Sequence, residues 1–423
     1  MANEPHVVIV GGGFAGLGAV RKLKKAPVRV TLIDKNDYHS FLPLLYQVAT
    51  DELTADEVGF PLPEMLNDHS GWEFHKANVT GVDLAARTVT AEGMEPVSYD
   101  YLVIALGAVV NFFGTKGAAE SAFPLYNMRE AVRLKEHTLE RLEATGKEPA
   151  LIDDGALTFC VVGGGATGVE ISGALAELLQ VQLKEDYPGL PVEKAEVHLY
   201  EMGPSLLGPF KPNLQEYTKK ALEERGVQVH LGEGVVEIEP TRVHLKSGGV
   251  VKAHTLVWGA GIAANPLAGS LGEELARGRV VVEPDLSLKG HPEVFVVGDI
   301  AMITDSKTGA QLPQLGSVAL QAGAHAGANI ARLVKEKKTE PFKYTDKGTM
   351  ATIGRGAAVV QFRRGRTMTG RPAWLAWNAV HLMLLSGGEQ KIQTFLIWGR
   401  DRLTHGRRKR ADSGQQQREE KNP

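Results

Sequence analysis

Two copies of one glycine motif, about 150 residues apart, constrain the fold of this chain more than any other feature. The first copy has the sequence GGGFAG at residues 11–16 and follows the apolar run VVIV at residues 7–10. The second has the sequence GGGATG at residues 163–168 and follows the run FCVV at residues 159–162. Each copy predicts a buried strand, a tight turn and a helix, the arrangement that places a pyrophosphate on a helix N-terminus. Two copies predict two dinucleotide sites on one polypeptide, and therefore electron transfer.

The three spaced glycines of such a motif have different roles. The first makes the turn, the second lets the backbone approach the phosphates, and the third lets the helix pack on the strand. One copy alone would be weak evidence, because glycine turns also occur without a ligand. The spaced glycines are Gly11, Gly13 and Gly16 in the first copy and Gly163, Gly165 and Gly168 in the second.

An acidic residue ends the strand that follows each motif. The first strand ends in Asp34 and the second in Glu201, where the spacing is longer because a charged segment is inserted at residues 182–193. A carboxylate at this position accepts hydrogen bonds from a ribose diol. Glu201 would also repel a 2′-phosphate, and residues 202–208 contain no arginine to receive one, so NADH is favoured over NADPH. The alternative is that both acids are solvated strand ends.

The composition suits a large α/β protein and excludes several classes. A chain of 423 residues is long enough for two or three domains, and its net charge of −3 would not attract nucleic acid. Cys160 is the single cysteine and lies in a predicted buried strand. An internal disulfide, a CxxC pair and a cysteine zinc site are therefore excluded, and no metal is predicted. Disulfide reductases and sulfide:quinone reductases are excluded as well, because both need at least two cysteines.

The predicted fold class is α/β, with two Rossmann-like dinucleotide-binding domains and a C-terminal membrane-associating region. Buried strands at residues 99–107 and 256–261 both end in glycine turns, which supports two related modules. A later strand closes on Gly298 and Asp299, so the chain is expected to return to its first domain and leave the second inserted. The predicted boundaries are residues 1–115 and 280–340 for the first domain, 155–279 for the second, 341–410 for the C-terminal region and 411–423 for a disordered tail.

The C-terminal region combines apolar and basic residues. An apolar cluster at helical spacing comprises Ile392, Phe395, Leu396, Ile397, Trp398 and Leu403, and the basic residues are Arg400, Arg402, Arg407, Arg408, Lys409 and Arg410. A helix of this type lies in a bilayer interface with its cations near anionic lipid. The alternative is a dimer-packing helix with a basic solvated tail.

Other segments bear on localisation. The apolar stretch at residues 373–385 is shorter than the roughly 20 residues that span a bilayer. Within it, Trp374 and Trp377 could be interface anchors or core residues. Residues 1–6 show no export signal, which predicts a cytosolic origin. We therefore expect a peripheral protein on the cytoplasmic side of the cell membrane.

Several segments together resemble the type II NADH:quinone dehydrogenases, which are single-subunit, non-proton-pumping members of the flavoproteins with two dinucleotide-binding domains. The most telling are FLPLLYQVAT at residues 41–50 and DKGTMATIG at residues 346–354, and the likeness spans about residues 6–400. The resemblance implies a non-covalent FAD in the first domain, NADH in the second, a quinone acceptor and a homodimer. The candidate cofactor-binding residues are Gly11, Gly13, Phe14, Ala15, Gly16, Asp34, Lys35, Gln47, Val79, Ala105, Gly107, Asp299, Ala319, Gly163, Gly165, Thr167, Gly168, Glu201 and Gly261.

Two residues are candidate catalytic residues by the same resemblance. Glu170 is expected near the flavin and the nicotinamide, in the first turn of the second motif's helix, where it could orient the nicotinamide or relay a proton. A favourable helix-dipole acid is the alternative. Gln321 matches the second glutamine of the family's Ala-Gln-x-Ala-x-Gln motif, whereas Ser317 replaces the first. Both side chains are expected to face the flavin at the quinone cleft.

The predicted activity is hydride transfer from NADH to FAD, followed by transfer of two electrons to a menaquinone or ubiquinone, without proton pumping. Ser317 is the main support for an alternative, a soluble NADH-dependent reductase with a protein or other acceptor. A third possibility is an NADH-sensing flavoprotein that turns over poorly. The sequence leaves the identity of the acceptor open.

Overall fold

The computed structural model of the protein describes residues 4–67, 69–179, 194–271, 275–306 and 308–404. The inserted segment at residues 182–193, the basic cluster from Arg407 to Arg410 and the tail at residues 411–423 lie outside the described residues. The side chains of residues 400–404 are not described either, although their backbone completes the last helix.

The bounds of the elements are as follows. The helices are α1 (Phe14–Leu23), α2 (Leu45–Ala49), α3 (Ala55–Val58), α4 (Ala118–Ser121), α5 (Met128–Lys147), α6 (Ala166–Glu177), α7 (Pro212–Glu223), α8 (Gly316–Leu333), α9 (Gly370–Leu384) and α10 (Gly388–Thr404). The strands are β1 (His6–Val10), β2 (Arg29–Asp34), β3 (Tyr38–Ser40), β4 (Gly59–Pro61), β5 (Trp72–Lys76), β6 (Val79–Asp83), β7 (Thr88–Ala91), β8 (Val97–Ser98), β9 (Tyr101–Ile104), β10 (Ala108–Val110), β11 (Phe123–Pro124), β12 (Thr158–Val162), β13 (Glu196–Glu201), β14 (Val227–Leu231), β15 (Val235–Glu239), β16 (Arg242–Leu245), β17 (Val250–Lys252), β18 (Thr255–Trp258), β19 (Ile262–Ala264), β20 (Leu275–Ala276), β21 (Arg279–Val281), β22 (Ser287–Leu288), β23 (His291–Val296), β24 (Ala301–Met302), β25 (Thr349–Gly354), β26 (Ala357–Gln361) and β27 (Thr367–Thr369).

Each glycine motif follows a central strand of a sheet that is parallel apart from the antiparallel edge strand β22 of the first sheet. The first sheet has the order β22-β23-β9-β1-β2-β5, and all five residues of β1 are buried. Because β22 and β23 come from residues 287–296, the chain returns to complete this sheet, as predicted. The second sheet has the order β11-β18-β12-β13-β14, and its edge strand β11 comes from the connection that precedes the second motif. The α/β fold class with two Rossmann-like modules is therefore confirmed, while the domain boundaries and the membrane association of the C-terminal region stay predictions.

The two modules are repeats of one another. In the first, β1, α1 and β2 are followed by the three-stranded sheet β6-β7-β8 and then by β9. In the second, β12, α6 and β13 are followed by the three-stranded sheet β15-β16-β17 and then by β18. The internal similarity that the glycine motifs predict therefore extends to the whole module.

A short antiparallel ribbon joins the two modules. Its strands, β10 and β19, follow the equivalent strands β9 and β18, and Val109 in the middle of β10 pairs with Ala263 in the middle of β19. Because equivalent residues pair with each other, the ribbon lies on an approximate two-fold axis between the modules. The carboxyl-end edges of the two sheets, where the motifs lie, can therefore border one shared cavity.

Helix α8 packs against α1 with direct backbone contact. A Cβ atom on Gly18 would overlap the backbone near Leu320, and one on Gly323 would overlap the carbonyl oxygen of Ala15. The first residue of α8, Gly316, lies beside Phe14, the first residue of α1. The N-termini of α1 and α8, each with the partial positive charge of its helix dipole, therefore lie next to each other.

The C-terminal region forms the sheet β25-β26-β27 and the helices α9 and α10. Trp377 on α9 is buried, so it is a core residue, whereas Trp374 is half-buried. Among the helices of the described chain, none is both long enough and apolar enough to cross a membrane.

Candidate functional site

Equivalent hydrogen bonds shape the two glycine turns. Gly11 has a φ of +103° and donates its N–H to the carbonyl of Ile33 (2.8 Å), while Gly163 has a φ of +106° and donates to Tyr200 (2.8 Å). A side chain is disfavoured at such φ values, and a Cβ here would also overlap the backbone that follows β9 or β18. The third glycines let the helix lie directly against the glycine turn, because a Cβ on either would overlap the carbonyl oxygen of the first glycine.

The second glycine of each motif faces open space. Among the residues that the structure describes, a Cβ built on Gly13 or on Gly165 would meet no atom within 4 Å. Each residue is the N-cap of its helix, and no side chain caps that helix end. Free backbone N–H groups beside an open space form a suitable seat for a pyrophosphate. This part of the site therefore fits a dinucleotide in both modules.

The two predicted ribose acids occupy equivalent positions. Asp34 accepts hydrogen bonds from the N–H of Gly12 (2.6 Å) and the N–H of Asn36 (2.7 Å). Glu201 accepts from the N–H of Gly164 (2.6 Å) and the N–H of Gly203 (2.6 Å). Burial raises the pKa of Asp34, and the two amide donors oppose that effect. Both carboxylates are thus bound to their glycine loops rather than being free at a strand end.

A cleft of about 850 Å³ extends from the first motif to the start of β6. It is lined by Gly11, Asp34 and Lys35 on one side and by Val79, the first residue of β6, on another. Ala105 and Gly107, which follow β9, line it as well and continue into a second cavity. Most of the residues predicted for FAD therefore border these two adjoining spaces, which together fit the group.

The second cavity has a volume of about 450 Å³ and is bordered by both modules. The predicted residues that line it are Gly13, Phe14, Ala15, Ala105, Gly107, Thr167, Glu170, Gly261, Asp299 and Ala319. Gly316 at the N-terminus of α8 also borders this space. A flavin ring and a nicotinamide ring could therefore meet here.

Asp299 is held by a residue that the sequence analysis missed. The hydroxyl of Tyr126 donates to its Oδ2 (2.9 Å), and the side chain of Gln314 donates to its backbone carbonyl (2.9 Å). Burial raises the pKa of Asp299, while the Tyr126 hydrogen bond and the charge of Arg279 oppose that effect. Tyr126 lies in the connection between the modules, where no motif marks it.

Glu170 lines the shared cavity, but it does not lie in the first turn of its helix, where it was expected. Helix α6 begins at Ala166, inside the glycine motif, so Glu170 is its fifth residue and the first turn contains no acid. The backbone N–H of Thr352 donates to Oε1 of Glu170 (3.3 Å). Burial raises the pKa of Glu170 to about 8, so the carboxyl is mostly protonated at pH 7. A helix-dipole role would need a position in the first turn, and that alternative is therefore weakened.

Gln47 is separated from the flavin side of the cavity. Its side chain is buried and lines a small space of about 50 Å³ behind Tyr46, together with Glu170. Its Oε1 accepts a hydrogen bond from the indole N–H of Trp398 on α10 (3.3 Å). The neighbouring residues Pro43, Leu45 and Tyr46 line the shared cavity instead. The segment therefore borders the shared cavity, but the Gln47 side chain does not line that cavity.

Gln321 does not line the shared cavity, contrary to expectation. Its amide forms two hydrogen bonds with the backbone of Thr345, at 3.1 and 3.0 Å, and Ser317 bonds the hydroxyl of Tyr344 (3.0 Å). Ala319, two residues earlier on α8, does face the cavity. Because two residues of an α-helix span about 200°, Gln321 lies on roughly the opposite side of α8 from Ala319 and therefore from the cavity. Ser317 and Gln321 lie on that same side and form hydrogen bonds with Tyr344 and Thr345, in the segment that leads to β25.

Another part of the cavity wall includes a histidine that no sequence motif marks. His381 on α9 lines it, and its Nδ1 donates to the carbonyl of Trp377 (2.7 Å). The imidazole stacks on the Trp377 indole, with ring centroids 3.9 Å apart. Burial lowers the pKa of His381 to about 4, so the ring is neutral at pH 7. Leu42 and Met350 complete this largely apolar wall.

Comparisons with known proteins agree with this geometry. The profile of the pyridine nucleotide-disulphide oxidoreductase family matches residues 5–323. A type II NADH:quinone oxidoreductase of Mycobacterium tuberculosis is 35% identical over 417 residues, which cover 94% of this chain and 87% of that protein. A protein of the same name from Staphylococcus aureus is 32% identical over 368 residues, covering 83% and 88%.

Solved structures support the same fold. The structure of NDH2 from Plasmodium falciparum in complex with NADH has a TM-score of 0.87 at 18% identity, covering 96% of this chain and 99% of that chain. The sulfide:quinone oxidoreductase of Aquifex aeolicus has a TM-score of 0.71 at 21% identity, covering 89% and 90%.

Proposed function

The chain belongs to the pyridine nucleotide-disulphide oxidoreductase family and, within it, to the type II NADH:quinone oxidoreductases, and from this premise we propose how its residues divide the reaction. The protein is a flavoenzyme that oxidises NADH and passes two electrons through FAD to a quinone. One observation carries the residue assignment. The two glycine motifs border a single cavity, with Phe14 on one side and Thr167 on the other.

The first module holds FAD. The free amides around Gly13 seat the pyrophosphate, Asp34 accepts the ribose hydroxyls, and Val79 borders the adenine end of the cleft. The N-terminus of α1 thus faces the pyrophosphate, while the N-terminus of α8 borders the shared cavity, where its dipole stabilises negative charge. When bound, FAD supplies the hydride acceptor and the two-electron donor of the reaction.

The second module holds NADH. The open side of Gly165 seats its pyrophosphate, and Glu201 accepts its ribose hydroxyls. Gly261, which corresponds to Gly107 in the repeat, borders the nicotinamide end of the cavity. Because the reacting rings are brought together in one partly closed space, the protein contributes alignment and exclusion of water.

Glu170 holds a proton beside the reacting groups. It lines both the shared cavity and the small space behind Tyr46, so it lies between them. Its pKa of about 8, raised by burial, keeps the carboxyl protonated at neutral pH. The protonated carboxyl can therefore donate a proton to an acceptor in the cavity, while the Thr352 amide donates a hydrogen bond to Oε1.

The quinone binds in the shared cavity against the wall formed by Leu42, Tyr46, Met350 and His381. This wall is mainly apolar, which suits a quinone ring, and its imidazole is fixed by the Trp377 carbonyl. A carbonyl oxygen only accepts hydrogen bonds, so Nδ1 of His381 carries the proton and Nε2 carries a lone pair. Nε2 can therefore accept a hydrogen bond from a hydroxyl group of the quinol product.

The C-terminal helices dock on the cytoplasmic face of the cell membrane. On α10, Ile392, Phe395 and Leu396 are 62%, 58% and 61% exposed, and α9 exposes Leu375 and Met383. Such an apolar surface suits the interface from which a lipid-soluble quinone would enter. The same surface could instead pack against a second copy of the chain in a homodimer.

A vesicle experiment separates these two roles. Replacing Ile392, Phe395 and Leu396 by Asn should lower binding to anionic vesicles by about tenfold or more, because buried apolar area would be lost. The matched control replaces the exposed Val236 and Val250 of the second module by Asn and should leave vesicle binding unchanged. Unchanged binding of the α10 variant, with conversion of a dimer to a monomer in sedimentation, would assign the surface to the dimer.

Anaerobic absorbance tests the activity. NADH should bleach the yellow protein, and a short-chain quinone should restore its colour rapidly. Bleaching without recovery would leave the NADH and FAD sites intact but contradict the quinone assignment.

A further inference from the structure

His39 is a buried histidine that contacts the first glycine motif. It lies in the middle of β3, is 1% exposed, and its Nδ1 is 3.0 Å from the carbonyl oxygen of Gly12. Because that oxygen can only accept, Nδ1 must carry the proton. Nε2 has no hydrogen-bonding partner within the described parts of the chain, and burial lowers the pKa of His39 to about 4. The imidazole is therefore a neutral donor at physiological pH.

Both backbone groups of Gly12 are thus bound by side chains. Its N–H donates to Asp34, and its carbonyl accepts from His39. The carbonyl of Gly12 and the N–H of Gly13 belong to one planar trans peptide, so they point in opposite directions. When His39 binds this carbonyl, the Gly13 N–H is directed away from His39. In the described parts of the chain, open space lies beside Gly13, because a Cβ built on it would meet no atom within 4 Å.

The second module fixes the equivalent peptide in another way. Gly164 also donates its N–H to an acid, Glu201, at 2.6 Å. Its carbonyl, however, accepts from the backbone N–H of Leu207 at 2.8 Å. One module therefore uses an imidazole where the other uses a main-chain amide. The repeat makes the role of His39 visible, because the same carbonyl is held in both copies.

We propose that His39 is a positioning residue for FAD: its Nδ1–H orients the Gly12–Gly13 peptide so that the Gly13 amide faces the pyrophosphate. This rests on the proposed assignment of FAD to the first module. The imidazole is itself oriented by Phe14, whose ring meets it edge-on with centroids 5.1 Å apart. The geometry predicts an effect on FAD binding and none on the second module.

Two amide variants isolate the hydrogen bond. The side-chain nitrogen of Asn occupies nearly the position of Nδ1 in histidine, whereas that of Gln extends to the position of Nε2. His39→Asn can therefore keep the donor to Gly12, and His39→Gln cannot. Loss of one buried hydrogen bond of this kind corresponds to about a tenfold change in an equilibrium constant.

The experiment measures two dissociation constants for the holoenzyme. The dissociation constant for FAD is obtained from the rise in flavin fluorescence when FAD dissociates on dilution. The dissociation constant for NAD⁺ is obtained by titrating the protein with NAD⁺ while FAD is in excess. His39→Gln should raise the dissociation constant for FAD about tenfold. His39→Asn should leave that constant within about threefold of the value for the natural protein. Neither variant should change the dissociation constant for NAD⁺. Equal weakening of FAD binding by both variants would assign the effect to ring packing and overturn the proposal, as would a matching change in NAD⁺ binding.

A separate variant tests the premise. Asp34→Asn should weaken FAD binding and leave NAD⁺ binding unchanged. If it weakens NAD⁺ binding instead, the assignment of FAD to the first module fails, whatever the His39 variants show.

Discussion

Glu170 should make the folded protein less stable at neutral pH than a neutral side chain of the same shape would, and Glu170→Gln tests this. Burial raises the pKa of this carboxyl from its ordinary 4.5 to about 8. Because the folded-state pKa is the higher one, the stability contributed by the protonated form is fully present below about pH 4.5. It is lost progressively as the pH rises to 8, since the unfolded chain gains free energy by ionising the same group.

The size of the effect follows from the two pKa values. Neutral pH lies about 2.5 pH units above the unfolded value, and at 1.36 kcal/mol per unit the cost at pH 7 is about 3 kcal/mol. At pH 5 the same arithmetic gives less than about 1 kcal/mol. Gln has nearly the volume of Glu and cannot ionise. The variant should therefore exceed the natural protein in free energy of unfolding by about 3 kcal/mol at pH 7 and by little at pH 5.

Urea unfolding at pH 5 and pH 7, with FAD at one saturating concentration, measures the difference. Glu216→Gln is the control, because Glu216 is exposed on α7 and its replacement should change stability at neither pH. The reasoning would be refuted if Glu170→Gln gained nothing at pH 7. A gain of equal size at both pH values would refute it as well, because it would not come from ionisation.

Other substitutions test the remaining assignments. Glu201→Ala should raise the Michaelis constant for NADH and reduce the preference for NADH over NADPH; if kcat/KM for both nucleotides stays the same, the ribose assignment is wrong. Gly13→Ala should abolish FAD binding without lowering the stability of the apoprotein, because the added methyl group meets only the space meant for the pyrophosphate, and Gly165→Ala should do the same for NADH. Titration with each nucleotide and a thermal melt check this pair, and a large loss of stability would contradict it. His381→Phe should make the protein less sensitive to acid: the folded pKa of about 4 lies below the ordinary 6.5, so the natural protein loses about 2 kcal/mol from this residue between pH 7 and pH 5. Urea unfolding at these two pH values should show a smaller loss of unfolding free energy in the variant than in the natural protein. An equal loss would refute the lowered pKa of His381.

The sequence predicts the local parts of this site well. A glycine motif between a buried strand and a helix is specified by neighbouring residues, so Gly11, Gly163 and their turns could be placed without a structure. Asp34 and Glu201 end the next strand of each sheet, and parallel pairing places them beside the glycine turn. These predictions depend on short stretches of chain with strong conformational preferences.

The contributions that cross long sequence distances could not be predicted. Tyr126 reaches Asp299 across 173 residues, and His381 enters the cavity from the C-terminal region. Neither has a local pattern that indicates a ligand. His39 lies close to the first motif in sequence, but its role depends on the pairing of β3 with β4, which orients the ring. The direction of Gln321 depends on how α8 is rotated about its axis, and that rotation is set by the close packing against α1.

The central claim is that two repeated modules hold FAD and NADH with their reacting rings in one cavity. A crystal structure with FAD and NAD⁺ both bound tests it most directly. We expect one pyrophosphate beside Gly13 and the other beside Gly165, with the flavin and nicotinamide rings stacked between Phe14 and Thr167, next to Glu170. A nicotinamide bound outside this cavity, or FAD seated on the second motif, would contradict the claim.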